Sequence, residues 1–205
     1  MAHDHDHDHE LEHDHEHGHE HEPDEEAAEQ YRQGELEHLR QRALAQIRQY
    51  PDVALRMKAR DVTEFDTYLV QLVERMTELM RDAQGVGLAA TQLGVLQRVF
   101  VFATDEEPVR AVVNPLLTLE GEKLTEEEGC LSLRDVRVPV ERSVKVILEG
   151  KDPNGDDVRY ELDDLAARVA QHENDHLDGV IILDRTDPES RKRALGELRP
   201  QPSLA

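Results

Sequence analysis

His172 and His176, with Glu173 directly after the first, stand in the stretch QHENDHLDG. On a helix, positions four apart share a face, so one helix can offer both imidazoles to a single ion. Glu173 lies about 100° round the axis and can stand beside that ion without ligating it. Such a set suits metal-assisted hydrolysis, in which an ion activates water and a carboxylate carries the proton. Read alone, HENDH has a second meaning as a polar turn of helix, because short patterns recur without function. A third ligand decides between the two. Cys130, the only cysteine, stands in EEEGCLSL, and taken alone it reads as a small buried hydrophobe.

The helix that must carry the pair is expected from near Asp163, suited to cap its start, to Gly179 at its C′ position. Leu165, Val169, His172 and His176 follow at offsets of four, three and four, so the histidines continue an inward apolar stripe. Upstream, TEFD at Thr63 to Asp66 resembles a capping box, and Phe65, Leu69, Leu72, Met76 and Leu79 form the stripe of a second helix. GVGLAATQLGV breaks that pattern. The runs RVFVFA, VRAVVNP and SVKVILEG predict strands, the last joined through DPNG to VRYEL as a hairpin. Nearer the start, Leu36, Leu39, Ala43 and Ile47 predict an amphipathic helix that ends before Tyr50-Pro51 and docks on the domain.

Composition bounds the function. The 205 residues have room for one domain with its own core plus extra segments. The formal net charge is -22, and residues 1–26 hold 12 acidic residues and no basic ones. An acidic body offers no footprint for nucleic acid or an anionic membrane. No apolar run reaches the length of a membrane span, and a lone cysteine suits a reducing interior, so the expected compartment is the cytoplasm. AHDHDHDHELEHDHEHGHEHEPDEE alternates histidine with acids and has almost nothing to bury, so it is expected to be a disordered tail. The expected organisation is a His/Asp/Glu-rich tail over residues 1–26, a helical extension over 27–49 and a catalytic domain over 50–205.

Three motifs in order, GVGLAATQ at Gly85 to Gln92, EGCLSL at Glu128 to Leu133 and QHENDHLDG at Gln171 to Gly179, resemble those of the peptide deformylases. The likeness runs from about Tyr50 into the final helix and leaves the N-terminal quarter outside it. The resemblance implies removal of the N-formyl group from the initiator methionine of new polypeptides, with release of formate. It implies an α+β fold, with antiparallel and mixed β-sheets surrounding a central HExxH helix, to which this chain adds an N-terminal helix and the tail.

It also implies roles for residues. Cys130, His172 and His176 would ligate one divalent ion, leaving a fourth position open. Fe²⁺ is the ion implied, although Zn²⁺, Ni²⁺ and Co²⁺ suit the same donors. Glu173 would take a proton from the attacking water and deliver it to the departing nitrogen. The Gln92 amide and the Leu131 backbone N–H would stabilise charge on the formyl oxygen. Gly85, Val86 and Gly87 would pair with the substrate main chain, and Val86 and Leu165 would line its methionine pocket. Glu128 and Arg142 would form an ion pair behind the cysteine. After the cysteine motif this chain reads LRDV where the family commonly has a Pro-Gly turn, and the long extension is also foreign to the family's plan.

Two other functions fit the same residues: another HExxH metal-dependent amide hydrolase, or a metal-storage or metal-delivery protein with a decayed enzyme domain. Intact Cys130, Glu173 and Gln92 argue against decay. The expected partners are formylmethionyl nascent peptides, with a transient ribosome contact, and extra divalent ions held by the nine histidines of the tail.

Overall fold

The computed structural model of the chain describes residues 25–104 and 108–199. The tail expected over residues 1–26 lies outside the described residues as far as residue 24. The elements are α1 (Glu25–Leu44), α2 (Thr67–Asp82), β1 (Gly87–Ala89), β2 (Val99–Phe102), β3 (Arg110–Cys130), β4 (Leu133–Lys151), β5 (Asp157–Asp163), α3 (Asp164–Leu177) and α4 (Pro188–Glu197). Helices and sheet together make the α+β class expected.

The five strands form one sheet in chain order, β1-β2-β3-β4-β5, and every pairing between them is antiparallel. Among the described residues the parallel component expected of a mixed sheet is confined to an isolated bridge between Arg60 and Gln97. The first three strands are covered on both faces. Leu88, Val99, Val101 and Val113 join the stripe of α2, while Ala89, Phe100, Phe102 and Val112 join Val169, Ala170 and Leu177 of α3. Alternate residues point to opposite faces, so burial on both sides turns RVFVFA into a continuous apolar run. β3 and β4 continue past this sandwich as a long hairpin, with register shifts near Val113, Glu120 and Gly129. Its tip packs on Ile181, Ile182 and Leu183 and on Ala194 of α4.

Several local expectations change. The cap of α2 is Asp66, whose carboxylate accepts from Leu69 N–H at 3.0 Å, and not Thr63 of the apparent capping box. Asp163 precedes α3 without a side-chain capping bond, although Gly179 does take the left-handed conformation (φ +74°) that ends the helix. In α1, Ala43 is buried, as is Ile47 just beyond it, but Leu36 and Leu39 are exposed, so the helix docks by its last turn and not along its stripe. The DPNG turn forms as expected, with Asp152 Oδ1 accepting from the Asn154 and Asp156 N–H groups.

Candidate metal centre

Cys130 is the last residue of β3, and its pairing with Leu133 leaves Leu131 and Ser132 as a two-residue turn. His172 and His176 project from α3 towards that turn. The Cys130 sulfur and one nitrogen from each histidine lie within 4.8 Å of one another. Cys130 Sγ and His176 Nε2 are 3.3 Å apart. Two ligands of a tetrahedral ion, one sulfur and one nitrogen, stand about 3.6 Å apart, so these donors are spaced to share an ion.

The unmet polar atoms agree. Glu173 Oε2 is buried without a partner, which suits an oxygen whose partner is a reacting group. The His172 ring fits as well, because its Nδ1–H donates to Glu128 Oε2 at 3.0 Å and leaves Nε2 to act as the donor. The residues present therefore fit a bound ion.

Behind this trio lies an array of buried charges. Arg142 donates to both Glu128 oxygens, at 2.9 and 3.1 Å, and to Asp175 Oδ2 at 2.5 Å. All three side chains are buried, so the pair implied for Glu128 and Arg142 is an interior one. Arg168 adds a second guanidinium on Glu128 at 2.8 Å and also donates to the carbonyls of Val140 and Leu124. Arg185 closes the array on Asp175 at 2.5 and 3.0 Å. Gln171 ties the helix to β4 through both the N–H and the carbonyl of Ser143. Sequence reasoning missed Arg168, Asp175 and Arg185. The available signal for Arg168 was a cation four residues before His172, on the side of the helix that had to be buried.

Charge states follow from these contacts. Burial disfavours the Glu128 carboxylate, but hydrogen bonds from His172 and Arg142 outweigh it and hold its pKa down to about 2. Burial pushes Glu173 up to about 7, where a carboxyl can both take and give a proton near neutrality. Burial also draws the two imidazoles down, yet bonding to Cys130 and Glu128 carries His172 well above its usual range, while His176, facing a charged His172, falls well below it. Without a cation the proton therefore rests on His172; a cation needs both donor nitrogens free.

The other expected residues border the same space. A short 3-10 turn over Ala90–Leu93 presents Gln92. Its Oε1 accepts from Ala89 N–H at 2.8 Å, which fixes the amide so that Nε2 points inward, 3.0 Å from Ser132 Oγ and 3.8 Å from Cys130 Sγ. Among the described residues no acceptor meets the Leu131 N–H. β1 is an edge strand, and Gly85, Val86 and Gly87 border a cavity of about 630 Å³ together with Leu165, Cys130 and Glu173. Leu165 therefore faces this cavity and not the core, and both it and Val86 are exposed. In LRDV, Asp135 adopts φ +61°, a conformation that Asp tolerates better than most residues.

A family model described as polypeptide deformylase matches residues 44–192. The chain belongs to the polypeptide deformylase family. It is 46% identical to the peptide deformylase of Acidothermus cellulolyticus over 157 residues, 77% of this chain and 87% of that one. Among solved structures it resembles peptide deformylase from Thermotoga maritima (44% identity, TM-score 0.67, covering 69% of this chain and 97% of that one). It also resembles the enzyme from Thermus thermophilus (40% identity, TM-score 0.70, covering 74% and 91%). Deformylases depend on a metal, and the Cys130, His172 and His176 group is the candidate centre for it.

Proposed function

We propose that Cys130, His172 and His176 hold the ion of a deformylase centre and that Glu173 is its proton carrier. The reaction is removal of the N-formyl group from newly made polypeptides, which follows from family membership. When bound, the ion supplies a Lewis acid that lowers the pKa of water at the open position. Glu173 accepts the proton of the attacking water and returns it to the nitrogen that leaves, so the carboxylate ends each turnover as it began. Gln92 Nε2 and the Leu131 N–H donate to the formyl oxygen as negative charge grows there. The open edge of β1 pairs with the substrate backbone from Gly85 to Gly87, and Val86 and Leu165 receive the methionine side chain. Glu128, clamped by Arg142 and Arg168, orients His172.

The observation that carries this reading is the unpartnered, buried Glu173 carboxylate beside three converging donors. We assign the ion as Fe²⁺ by the chain's likeness to the family and the compartment as the cytoplasm by its lone cysteine. The described helices include none long and apolar enough to cross a membrane. The domain limits read from the sequence, the transient ribosome contact and the ion-binding tail stay with this proposal. The direct test is formate release from a formyl-Met tripeptide by anaerobically prepared protein, with metal counted on the same sample. Turnover that tracks metal content is the expected result. Equal or better cleavage of acetylated peptides would favour the other amide hydrolase.

A further inference from the structure

Three consecutive residues after α1 reach the two segments that carry the donors assigned to the formyl oxygen. Arg48 N–H donates to the Gln92 carbonyl at 2.7 Å, and Tyr50 N–H donates to the Ser132 carbonyl at 2.9 Å. Between them stands Gln49, half-buried. Its Nε2 donates to the Leu131 carbonyl at 2.9 Å and to the Ile47 carbonyl at 3.2 Å, so both amide hydrogens are used. Of the three links to those segments, the one from Gln49 is made by a side chain and can be removed by substitution.

What Gln49 holds is one end of a peptide plane. The Leu131 carbonyl and the Ser132 N–H belong to the same planar unit, which turns as a whole. Gln49 grips its oxygen, while its N–H at the opposite end donates to Cys130 Sγ at 3.4 Å. Tyr50 holds the carbonyl of the plane that follows. The side chain of Leu131 is confined as well, since a β-carbon at Gly85 would stand 2.7 Å from its Cδ1. The turn is thus gripped on both sides of the Leu131 N–H, which among the described residues meets no acceptor. Leu131 borders the cavity, whereas Gln49 stands outside its described border.

We propose that Gln49 is a positioning residue for deformylation, which keeps the Leu131 N–H where charge grows on the formyl oxygen by holding the peptide plane next to it. The inference rests on the deformylase reading, which assigns that N–H and the Gln92 amide to the oxygen. Donors of this kind work because they are fixed before the reaction begins. A bond made chiefly in the transition state shows in kcat and not in KM. Gln49 therefore acts on the rate without touching the substrate.

The test uses the full-length, metal-loaded chain on a formyl-Met-Ala-Ser amide. It compares the wild type with Gln49→Met, which keeps the length but lacks the donor, and with Gln49→Lys, which restores a donor of similar reach. Gln49→Met is expected to lower kcat about tenfold, less than the loss of about 10²-fold or more that follows deletion of an oxyanion donor. KM and metal per chain stay at the wild-type values, and Gln49→Lys recovers most of the rate. Because Cys130 Sγ lies at the other end of the plane, metal content separates a displaced donor from a damaged ligand. Thermal unfolding monitors the fold, and Gln49→His supplies the donor if Gln49→Lys is poorly folded. Unchanged kcat in Gln49→Met, a loss carried in KM, metal lost in step with rate, or an equal loss in the donor-restoring variant overturns the proposal. Absence of formate with the wild-type chain overturns the deformylase reading beneath it.

Discussion

The Glu173 side chain lies directly against Gly87: a β-carbon at residue 87 would stand 2.8 Å from Glu173 Cδ and 2.9 Å from its Cγ. Interiors are packed too densely to absorb such an overlap without a shift. Glycine at this position is room for the carboxylate. Gly87→Ala is therefore expected to displace Glu173 and lower turnover on the order of 10²-fold, while the three donors keep their ion. Formate release and metal content on one preparation check this; unaltered turnover would mean that the carboxylate's position does not matter.

Glu173→Ala removes the proton carrier and leaves Cys130, His172 and His176 in place. The expected loss of kcat is about 10²- to 10⁴-fold with near-normal metal per chain. If metal disappears along with activity, Glu173 holds the ion and does not carry the proton.

Cys130→Ser exchanges a thiolate for a neutral hydroxyl, a poorer ligand for a transition ion. Competition with a chelator should show weaker metal retention at neutral pH. Affinity equal to that of the wild-type chain excludes the sulfur from the centre.

Arg142→Met leaves Glu128 and Asp175 buried, each with one of its guanidiniums gone and only Arg168 and Arg185 to compensate. Breaking a buried pair from one side costs about 3 kcal/mol or more, and slackening of His172 should weaken metal affinity about tenfold. Denaturant unfolding and chelator competition read the two effects separately. A variant as stable as the wild-type chain would show that the remaining two arginines suffice.

We propose that the histidines of residues 1–26 hold extra divalent ions; since imidazole ligates when neutral, such binding is expected above the ordinary imidazole pKa of about 6.5 and not in mild acid. Deleting residues 1–26 should lower total metal per chain at neutral pH and slow reactivation of apoenzyme at limiting Fe²⁺, with turnover of loaded enzyme unchanged. Equal reactivation rates leave the segment a solubilising role only.

The histidine pair was legible because its spacing on one helix is local, whereas Cys130, 42 residues before His172, was reached only through the family's motifs. The stripe of α3 depends on helical spacing alone, and the position of Gly179 on chain chemistry at a helix end. The depth of the Glu128 and Arg142 pair was not, because nothing in either neighbourhood says that a second and third arginine arrive from residues 168 and 185 to share the burial. Leu36 and Leu39 misled for a similar reason: an apolar stripe says that a helix has something to bury, while the body it meets decides how far along the burial runs. Thr63 matched a capping pattern, yet Asp66 stood nearer the first helical turn and supplied the acceptor.

The strand order of the sheet follows the order of synthesis. Each strand pairs with the one made just before it, so only short connections must close, and the sheet can form progressively as the chain emerges. The donor set cannot. Cys130 is followed by His176 only 46 residues later, after β4, β5 and most of α3 have been made. Because α3 also covers Ala89, Phe100, Phe102 and Val112 of the sheet, the helix that completes the core is the one that completes the donor set, so a chain that ends before it lacks both.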